Sequence, residues 1–483
     1  MRAEARLFGD RFTPMALALV LLYGLLQMRW GERIPASDGL GTYDGRRYGE
    51  IARDPRREIA EEGLDLFRLQ RILPSAAVHL ALRATGSSFE TRDIVRAFLV
   101  LNCICQVALV LVWRQIARTC GLGPTGTWLG FVLLFLNFAN LKQPYYYPVL
   151  TDTPAVLLGA LAVWLHLRDR PLALFIVILL AAFTWPALFL SASLLFVFDR
   201  EDLRGPAPAR PPRASISAVA ALAVVVLAGA FLGFDGTFRG WLSLAVLAAY
   251  AAGVAWGLLG SERVFERDTY VRGLHRWRLL LVVATFVLLR VLLTQASTAP
   301  GMTLSRHIRH IFLYNSDKPG LFLLAHAVYF GPVVVLLALY WRVARDALHE
   351  LGLGLTAYAG LQLGHAINPE TRQLVDALPL YALLAAVAGE RCGLGARHVL
   401  LVAATGLLAS KAWLPINQGG AWGAPDALPA QLYFMNMGPS MTKTTLLVQG
   451  AVVIVAAVLL WAALPPAGAV LRAAPGTPAP AQR

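Results

Sequence analysis

The sequence predicts an all-α, polytopic integral membrane protein with about 12–14 transmembrane helices and with interfacial helices in its first outer loop. Of its 483 residues, 57% are hydrophobic and only 15% are charged, whereas soluble domains carry about 25% charged residues. Apolar runs long enough to cross a bilayer recur from Met15 to Ala463, separated by short polar breaks. These observations exclude a soluble enzyme on an anchor, a nucleic-acid-binding domain and a secreted disulfide scaffold.

The candidate spans are the apolar segments 14–29, 94–117, 125–140, 153–167, 171–183, 186–198, 214–234, 241–260, 279–297, 321–341, 350–366, 373–389, 397–414 and 445–463. Arg2, Arg6 and Arg11 precede the first segment, so the positive-inside rule places the N-terminus in the cytoplasm. The same topology returns the C-terminus to the cytoplasm and places the excess of basic residues in the inside loops. The net charge of +14 therefore needs no nucleic-acid partner.

Composition also bears on location. Only four of the 43 basic residues are lysines, a bias typical of GC-rich bacterial genomes. We therefore expect a multi-pass protein of the bacterial inner membrane. The outer loops are unequal in length, and the longest, 30–93, is rich in polar residues. An active site should accordingly face the periplasm or the cell exterior.

The segment 171–198 has arginines at both ends, which places both ends on the cytoplasmic side. Thr184-Trp185-Pro186 in its middle then predicts the tip of a hairpin of two short helices, because proline disfavours continuation of a helix. The chain divides into a first transmembrane module (1–200), a cytoplasmic linker (201–213), a second transmembrane module (214–464) and a disordered cytoplasmic tail (465–483).

The first candidate site lies in the first outer loop, which contains the sequence Tyr43-Asp44-Gly45-Arg46-Arg47-Tyr48. Asp44 has two interpretations. It could cap the N-terminus of a helix, where a carboxylate accepts backbone N–H bonds. Alternatively it could be a general base toward an acceptor hydroxyl or amine, with Arg46, Arg47 and Tyr48 contacting substrate.

Two arginines follow in the same loop. Arg68 and Arg71 are three residues apart, which places them on the same side of a helix. The adjoining apolar segment 64–82 is interrupted by Pro74 and predicts an interfacial helix. The arginines could simply contact lipid phosphate, or they could hold the phosphate of a lipid-linked substrate, since guanidinium forks match phosphate oxygens.

The second outer loop contains Lys142, the aromatic run Tyr145-Tyr146-Tyr147 and Asp152. Tyrosines at this depth usually form an interfacial belt. Asp152 begins an apolar run, where a carboxylate is costly unless it is paired or caps a helix. The functional alternative makes Asp152 a second catalytic acid, with Lys142 and Tyr145 contacting substrate.

Two late segments carry further polar residues. Glu370 and Arg372 lie at a predicted outer turn before a late span, where they could pair with other loops or bind substrate. His307 and His310 could share one helix face, but no neighbouring carboxylate supports a metal site. An amphipathic lid is the better interpretation of that helix.

These features together resemble the GT-C superfamily of membrane glycosyltransferases. The shared pattern is an N-terminal helix, a long outer loop with an early acid, an interfacial helix, and a second outer Asp that opens a span. The motifs Tyr-Asp-Gly-x-x-Tyr and Arg-x-x-Arg-Ile-Leu-x-Pro are similar to those of poorly characterised bacterial members. The resemblance covers residues 1–200 and implies that Asp44 occupies the first-loop catalytic position and Asp152 the second.

The resemblance implies an enzyme that moves a sugar from a polyprenyl-phosphate carrier to a glycan, lipid or protein acceptor at the outer face, by an inverting mechanism. It places the carrier in contact with membrane lipid and leaves a divalent metal ion open as a cofactor. A transporter or flippase for a lipid-linked glycan is an alternative, although transporters usually carry ionisable residues at mid-membrane. A noncatalytic subunit of envelope-glycan assembly is another.

Overall fold

A computed structural model describes residues 2–42, 44–204, 212–232, 236–259, 261–299, 303–417 and 424–467. Most of the predicted linker 201–213 and of the predicted tail 465–483 lies outside these ranges. Within them every regular element is helical, apart from one isolated bridge between Phe198 and Leu274. The prediction of an all-α protein is confirmed for the described residues.

The helices of the first half are α1 Arg2–Trp30, α2 Asp44–Arg53, α3 Pro55–Arg57, α4 Leu66–Leu69, α5 Ile72–Thr85, α6 Thr91–Thr119, α7 Pro124–Phe135, α8 Phe138–Leu141, α9 Gln143–Tyr146, α10 Asp152–Leu167, α11 Pro171–Ala182, α12 Pro186–Val197 and α13 Pro212–Leu232. Those of the second half are α14 Phe238–Leu258, α15 Arg267–Gly273, α16 Arg276–Ala296, α17 Leu304–Ser316, α18 Leu321–Phe330, α19 Pro332–Leu339, α20 Trp341–Leu351, α21 Leu353–His365, α22 Leu378–Arg391, α23 Ala396–Ser410, α24 Leu428–Phe434 and α25 Lys443–Ala463. Short 3₁₀ segments occupy Ala36–Gly39, Glu262–Phe265 and Thr371–Ala377, and a π-helical turn occupies Glu58–Glu62.

Several helices are long and apolar enough to cross a membrane. In the described ranges there are six: Arg11–Trp30, Thr91–Thr119, Phe238–Leu258, Arg276–Ala296, Thr371–Arg391 and Lys443–Ala463. Two bent helix pairs raise the number to eight if each pair is one span. Most of the other predicted spans correspond to apolar helices of 10–17 residues, among them α10, α11, α12 and α23. A helical membrane protein is therefore the class that the structure supports.

Two predicted spans, 125–140 and 321–341, are broken rather than continuous. The first bends by 70° after α7, where Asn137 donates to the Leu133 and Leu134 carbonyls and its side chain accepts from the N–H of Asn140. The second bends by 116° at Gly331, which adopts a φ of 66° and precedes Pro332. The Asn137 side chain caps the end of α7, and the left-handed conformation of Gly331 ends α18. Hydropathy alone reveals neither break.

The predicted hairpin 171–198 is present as α11 and α12. Pro186 begins α12, and the tip between the two helices packs against the loop 30–93, which we call the first long loop. There the Leu73 N–H donates to the Phe183 carbonyl at 3.0 Å, and the Trp185 ring lies against Arg71. The hairpin tip therefore forms one wall of the region that contains Asp44 and Arg71.

The centre of the core brings α10 against the turn Thr371–Ala377. Gly159 makes this approach possible, since a Cβ there would collide with the Asp376 carbonyl. The turn is held by Gln362, whose amide donates to the Asp376 carboxylate at 2.6 Å, and by Tyr358, whose hydroxyl donates to the Asp376 carbonyl at 3.0 Å. This packing fixes Arg372, on the same turn, beside the N-terminus of α10.

Candidate functional site

Three distant parts of the chain meet at Arg372. Its guanidinium lies 3.7 Å from an oxygen of Asp44, 3.8 Å from an oxygen of Asp152 and 3.5 Å from an oxygen of Glu370. The Arg372 side chain is buried. Four residues singled out in the sequence therefore form one cluster, which we call the Arg372 cluster.

Asp44 is placed by α2, which packs on α5. It lies in the first turn of α2, where the helix dipole favours a carboxylate. The following glycine has a packing role, because a Cβ at Gly45 would collide with the ring of Tyr147. The Tyr147 hydroxyl donates to the Thr42 carbonyl at 2.5 Å. Gly45 thus lets the loop that contains Tyr147 close over the start of α2.

Arg68 approaches Asp44 from the other side. Its guanidinium donates to Asp65 at 2.6 Å and lies 3.9 Å from Asp44. The Asp44 carboxylate, with 27% of its side chain exposed, therefore lies between two guanidinium groups. A helix cap accounts for its position in α2 but not for these two partners.

Asp152 is the first residue of α10, and Thr151 occupies the capping position before it. The Asp152 carboxylate is buried, and neither oxygen accepts a hydrogen bond from a described residue. A capping role therefore does not explain this side chain. Its nearest cation is Arg372, at a distance longer than a hydrogen bond.

Arg71 is held by aromatic rings rather than by an anion. Its guanidinium carbon lies 3.6 Å from the centroid of Phe67 and 5.0 Å from that of Trp185. The side chain is buried, and its Nε and Nη1 have no acceptor among the described residues. Burial lowers the pKa of Arg71, while Tyr48 and Asp44 act in the opposite direction. The site thus contains a buried cation, two of whose nitrogens have no acceptor in the part of the chain that the structure describes.

The predicted helical relationship of the two arginines is wrong. Arg68 belongs to α4, and Arg71 adopts a φ of −129° at the start of α5, so a break separates them. The break directs Arg68 toward Asp65 and Asp44 and buries Arg71 between Phe67 and Trp185. Residue spacing predicted a shared face because it assumed a continuous helix.

Further buried polar atoms without partners surround the cluster. The Tyr48 hydroxyl has none among the described residues, and burial raises the pKa of this phenol well above its usual range. The Tyr329 hydroxyl is likewise buried and unpartnered, and Tyr329 lies within the field of Asp152. Buried polar groups in folded proteins almost always have partners. Their concentration beside Asp152, Arg71 and Arg372 is the pattern expected of a binding site for a polar ligand.

Other predicted site residues lie elsewhere. Arg46 and Arg47 pair with Glu50 at 2.9 and 3.3 Å rather than with the carboxylates of the Arg372 cluster. Lys142 is buried and donates to Glu32 at 2.7 Å and to the Leu414 carbonyl. Tyr145 donates to Gln106 at 2.6 Å. The structure therefore brings together Asp44, Tyr48, Arg68, Arg71, Asp152, Glu370 and Arg372, but not Arg46, Arg47, Lys142 or Tyr145.

The residues do not fit a divalent metal. The converging carboxylates of Asp44, Asp152 and Glu370 all face Arg372, whose guanidinium takes the place of a shared cation. Over the described ranges, no group of three His, Cys, Asp or Glu side chains is arranged to hold a metal ion. His307 and His310 lie on the amphipathic helix α17 and form no such group.

Sequence reasoning missed three residues of the site. Tyr147, rather than Tyr145, contacts the start of α2, because α9 ends at Tyr146 and redirects the chain. Trp185 was assigned only to a turn, yet it covers Arg71. Tyr329 lies in α18, a mostly apolar helix that also contains His326, and has no local signal. Comparison with protein-family models, with curated proteins and with solved structures finds no match for this chain.

Proposed function

We propose that this protein is a GT-C-like glycosyltransferase of the bacterial inner membrane, which moves a sugar from a polyprenyl-phosphate carrier to an acceptor at the outer face. One observation supports this most strongly. Two carboxylates, Asp44 and Asp152, converge on Arg372 beside the buried Arg71, whose Nε and Nη1 have no acceptor among the described residues. A base beside cations is the set of groups that glycosyl transfer from a phosphate requires.

The reaction is a displacement at the anomeric carbon of the donor. The acceptor oxygen loses its proton to a carboxylate and forms a bond to the anomeric carbon. The bond from that carbon to the phosphate oxygen breaks, and its electron pair leaves with the polyprenyl phosphate, which gains one negative charge. An oxocarbenium-like transition state makes stabilisation of the departing phosphate the main electrostatic task. Inversion follows from a single displacement.

Asp44 is the better candidate for the base. It is partly exposed and lies at the edge of the cluster, where an acceptor can reach it, whereas Asp152 is buried. Arg68 and Arg372 lie 3.9 and 3.7 Å from this carboxylate, so the candidate base lies beside cations. In this proposal Asp152 orients Arg372 and contributes to the field at the reacting carbon.

Arg71 and Arg372 are the candidates to hold the carrier phosphate. Both are buried, and each has guanidinium nitrogens without a hydrogen-bond acceptor in the described ranges. A phosphate oxygen would supply those acceptors through charge-assisted hydrogen bonds. The hairpin tip at Trp185 and the ring of Phe67 would shield this contact from water, which strengthens it.

The donor can be identified by comparing lipids from cells with and without the gene. We expect a polyprenyl-phosphate sugar to accumulate when the gene is deleted and to disappear when the intact gene is restored. The purified full-length protein in nanodiscs should then release polyprenyl phosphate from that lipid when acceptor extract is added. Unchanged lipids together with no release from any polyprenyl-phosphate hexose would overturn the proposal.

A further inference from the structure

A second polar feature lies next to the Arg372 cluster. A cavity of about 580 Å³ opens between α2, α3 and the π-helical turn Glu58–Glu62, and every residue that lines it is charged. We call it the charged cavity. Its size falls in the range of about 300–1,000 Å³ typical of small-molecule sites. Arg46 and Arg47, which do not reach the Arg372 cluster, both line this cavity.

The walls of the charged cavity are held by ion pairs. Arg47 lies 3.3 Å from Glu50 and 3.3 Å from Glu58, and Arg57 lies 3.0 Å from Glu62. Glu58 and Glu62 begin and end the π-helical turn, a rare conformation that is frequent at functional sites. Glu58 is 6% exposed, and burial together with the neighbouring Glu50 raises its pKa. A buried acid on an irregular turn indicates a built site rather than a random surface patch.

The charge of the lining indicates what it binds. Five arginines and four acids line the cavity, so nearly all of the positive charge is already balanced. Most of the guanidinium groups of this lining already pair with carboxylates, in contrast to Arg71, so they offer little to a phosphate. An apolar chain needs apolar walls, so neither ligand suits this lining. A polyhydroxyl compound does, because carboxylates accept from its hydroxyls and guanidinium groups donate to them. The chemistry therefore favours a saccharide.

The cavity also reaches the candidate base. Arg68 lines it and lies 3.9 Å from Asp44, so one side chain links the cavity to the Arg372 cluster. A sugar bound in the cavity could present a hydroxyl to Asp44 past Arg68. We infer that the charged cavity binds the acceptor, and that the acceptor is a saccharide rather than a lipid or a protein. This inference rests on the proposed glycosyltransferase function.

Binding can be measured without turnover. The full-length protein in nanodiscs is probed by saturation-transfer NMR with neutral trisaccharides of glucose, mannose, galactose and N-acetylglucosamine, and separately with inorganic phosphate. The test variant is Glu62→Gln, and the matched control is Glu61→Gln. Glu61 is adjacent, exposed and absent from the lining, and it lies 4.0 Å from Arg57 against 3.0 Å for Glu62. A second pair is Arg57→Gln against Arg56→Gln, of which only Arg57 lines the cavity.

We expect at least one trisaccharide to bind, and Glu62→Gln and Arg57→Gln to weaken it by about tenfold, a loss of about 1.4 kcal/mol. Glu61→Gln and Arg56→Gln should leave binding unchanged. Absence of trisaccharide binding, equal loss in test and control variants, or binding of phosphate alone would overturn the inference. Saccharide binding that depends on Glu62 in a protein without transferase activity would instead reject the proposed function and leave a saccharide site.

Discussion

The Nε of Arg372 lies 3.8 Å from an oxygen of Asp152, and both side chains are buried at the N-terminus of α10. The distance is too long for a hydrogen bond, so each group keeps its hydrogen-bonding capacity. A buried ion pair costs desolvation, and that cost is large when one partner is removed. The same two side chains therefore stabilise the fold and belong to the candidate site.

Replacing Arg372 by methionine should leave Asp152 as an uncompensated buried charge. We expect Arg372→Met to destabilise the protein by about 3–5 kcal/mol. Asp152→Asn in the same background should restore part of that loss, because it removes the charge. Thermal unfolding of the two single variants and the double variant, at one detergent concentration, measures the coupling. Strictly additive losses would show that the two side chains do not interact.

Replacing Arg71 should weaken donor binding while leaving expression intact. Each lost charged hydrogen bond is worth about 1.5–3 kcal/mol, so Arg71→Ala should reduce donor affinity by tenfold or more. Lysine should rescue only partly, since an ammonium lacks the planar fork. Arg83→Ala is the control, because Arg83 lies on the same helix α5 and is exposed. Full activity of the double variant Arg68→Ala, Arg71→Ala would refute a phosphate-binding role.

Metal removal should have little effect on turnover. The cluster places a guanidinium, rather than a metal ion, among its carboxylates. We expect the rate of the purified protein to stay within twofold after EDTA treatment and dialysis. Loss of activity on chelation, with recovery on adding Mg²⁺ or Mn²⁺, would contradict this assignment.

The contact between Glu32, just after α1, and Ile416, in the segment after α23, should depend on pH. Burial acts to raise the pKa of Glu32, but hydrogen bonds from Lys142 and from the Ile416 N–H outweigh it, so the pKa is lowered in the fold. The stabilisation is therefore present above about pH 4.5, the ordinary value, and is lost as pH falls through the folded pKa. Glu32→Gln should lower the unfolding temperature at pH 7 and flatten its dependence below pH 5. If the unfolding temperature of Glu32→Gln falls with pH below 5 as steeply as that of the parent, Glu32 is not the source of that dependence.

Much of the fold follows from sequence because its signals are local. Proline at Pro186 and arginines at both ends predict the hairpin, and the structure has it. The bends at Asn137 and Gly331 depend on capping and on a left-handed glycine within apolar runs, which hydropathy averages over. The Gly331-Pro332 pair was a readable signal, whereas the hydrogen bonds of Asn137 appear only once α7 is packed.

Part of the residue set of the site was predictable from the sequence, but the arrangement of those residues was not. Asp152 and Arg372 each carry a local signal, namely a charge that directly precedes an apolar run, and Asp44 lies in the Tyr-Asp-Gly-x-x-Tyr motif of the loop 30–93. Their meeting depends on the register of α10 against the turn Thr371–Ala377, which the close approach at Gly159 sets. No local pattern reports that register. The end of α9 at Tyr146, which brings Tyr147 rather than Tyr145 against α2, also has no local signal.

The most direct test of the proposed function is the turnover of Asp44→Asn in a donor-saturated assay. Asn caps a helix nearly as well as Asp, so a capping role predicts little change. A lost base predicts a fall of about 100-fold or more. Asp93→Asn is the matched control, since Asp93 also lies in the first turn of a helix and its side chain is 30% exposed, against 27% for Asp44. We predict a folded Asp44→Asn protein that binds donor and is nearly inactive, and turnover within a few-fold of the parent would contradict Asp44 as the base.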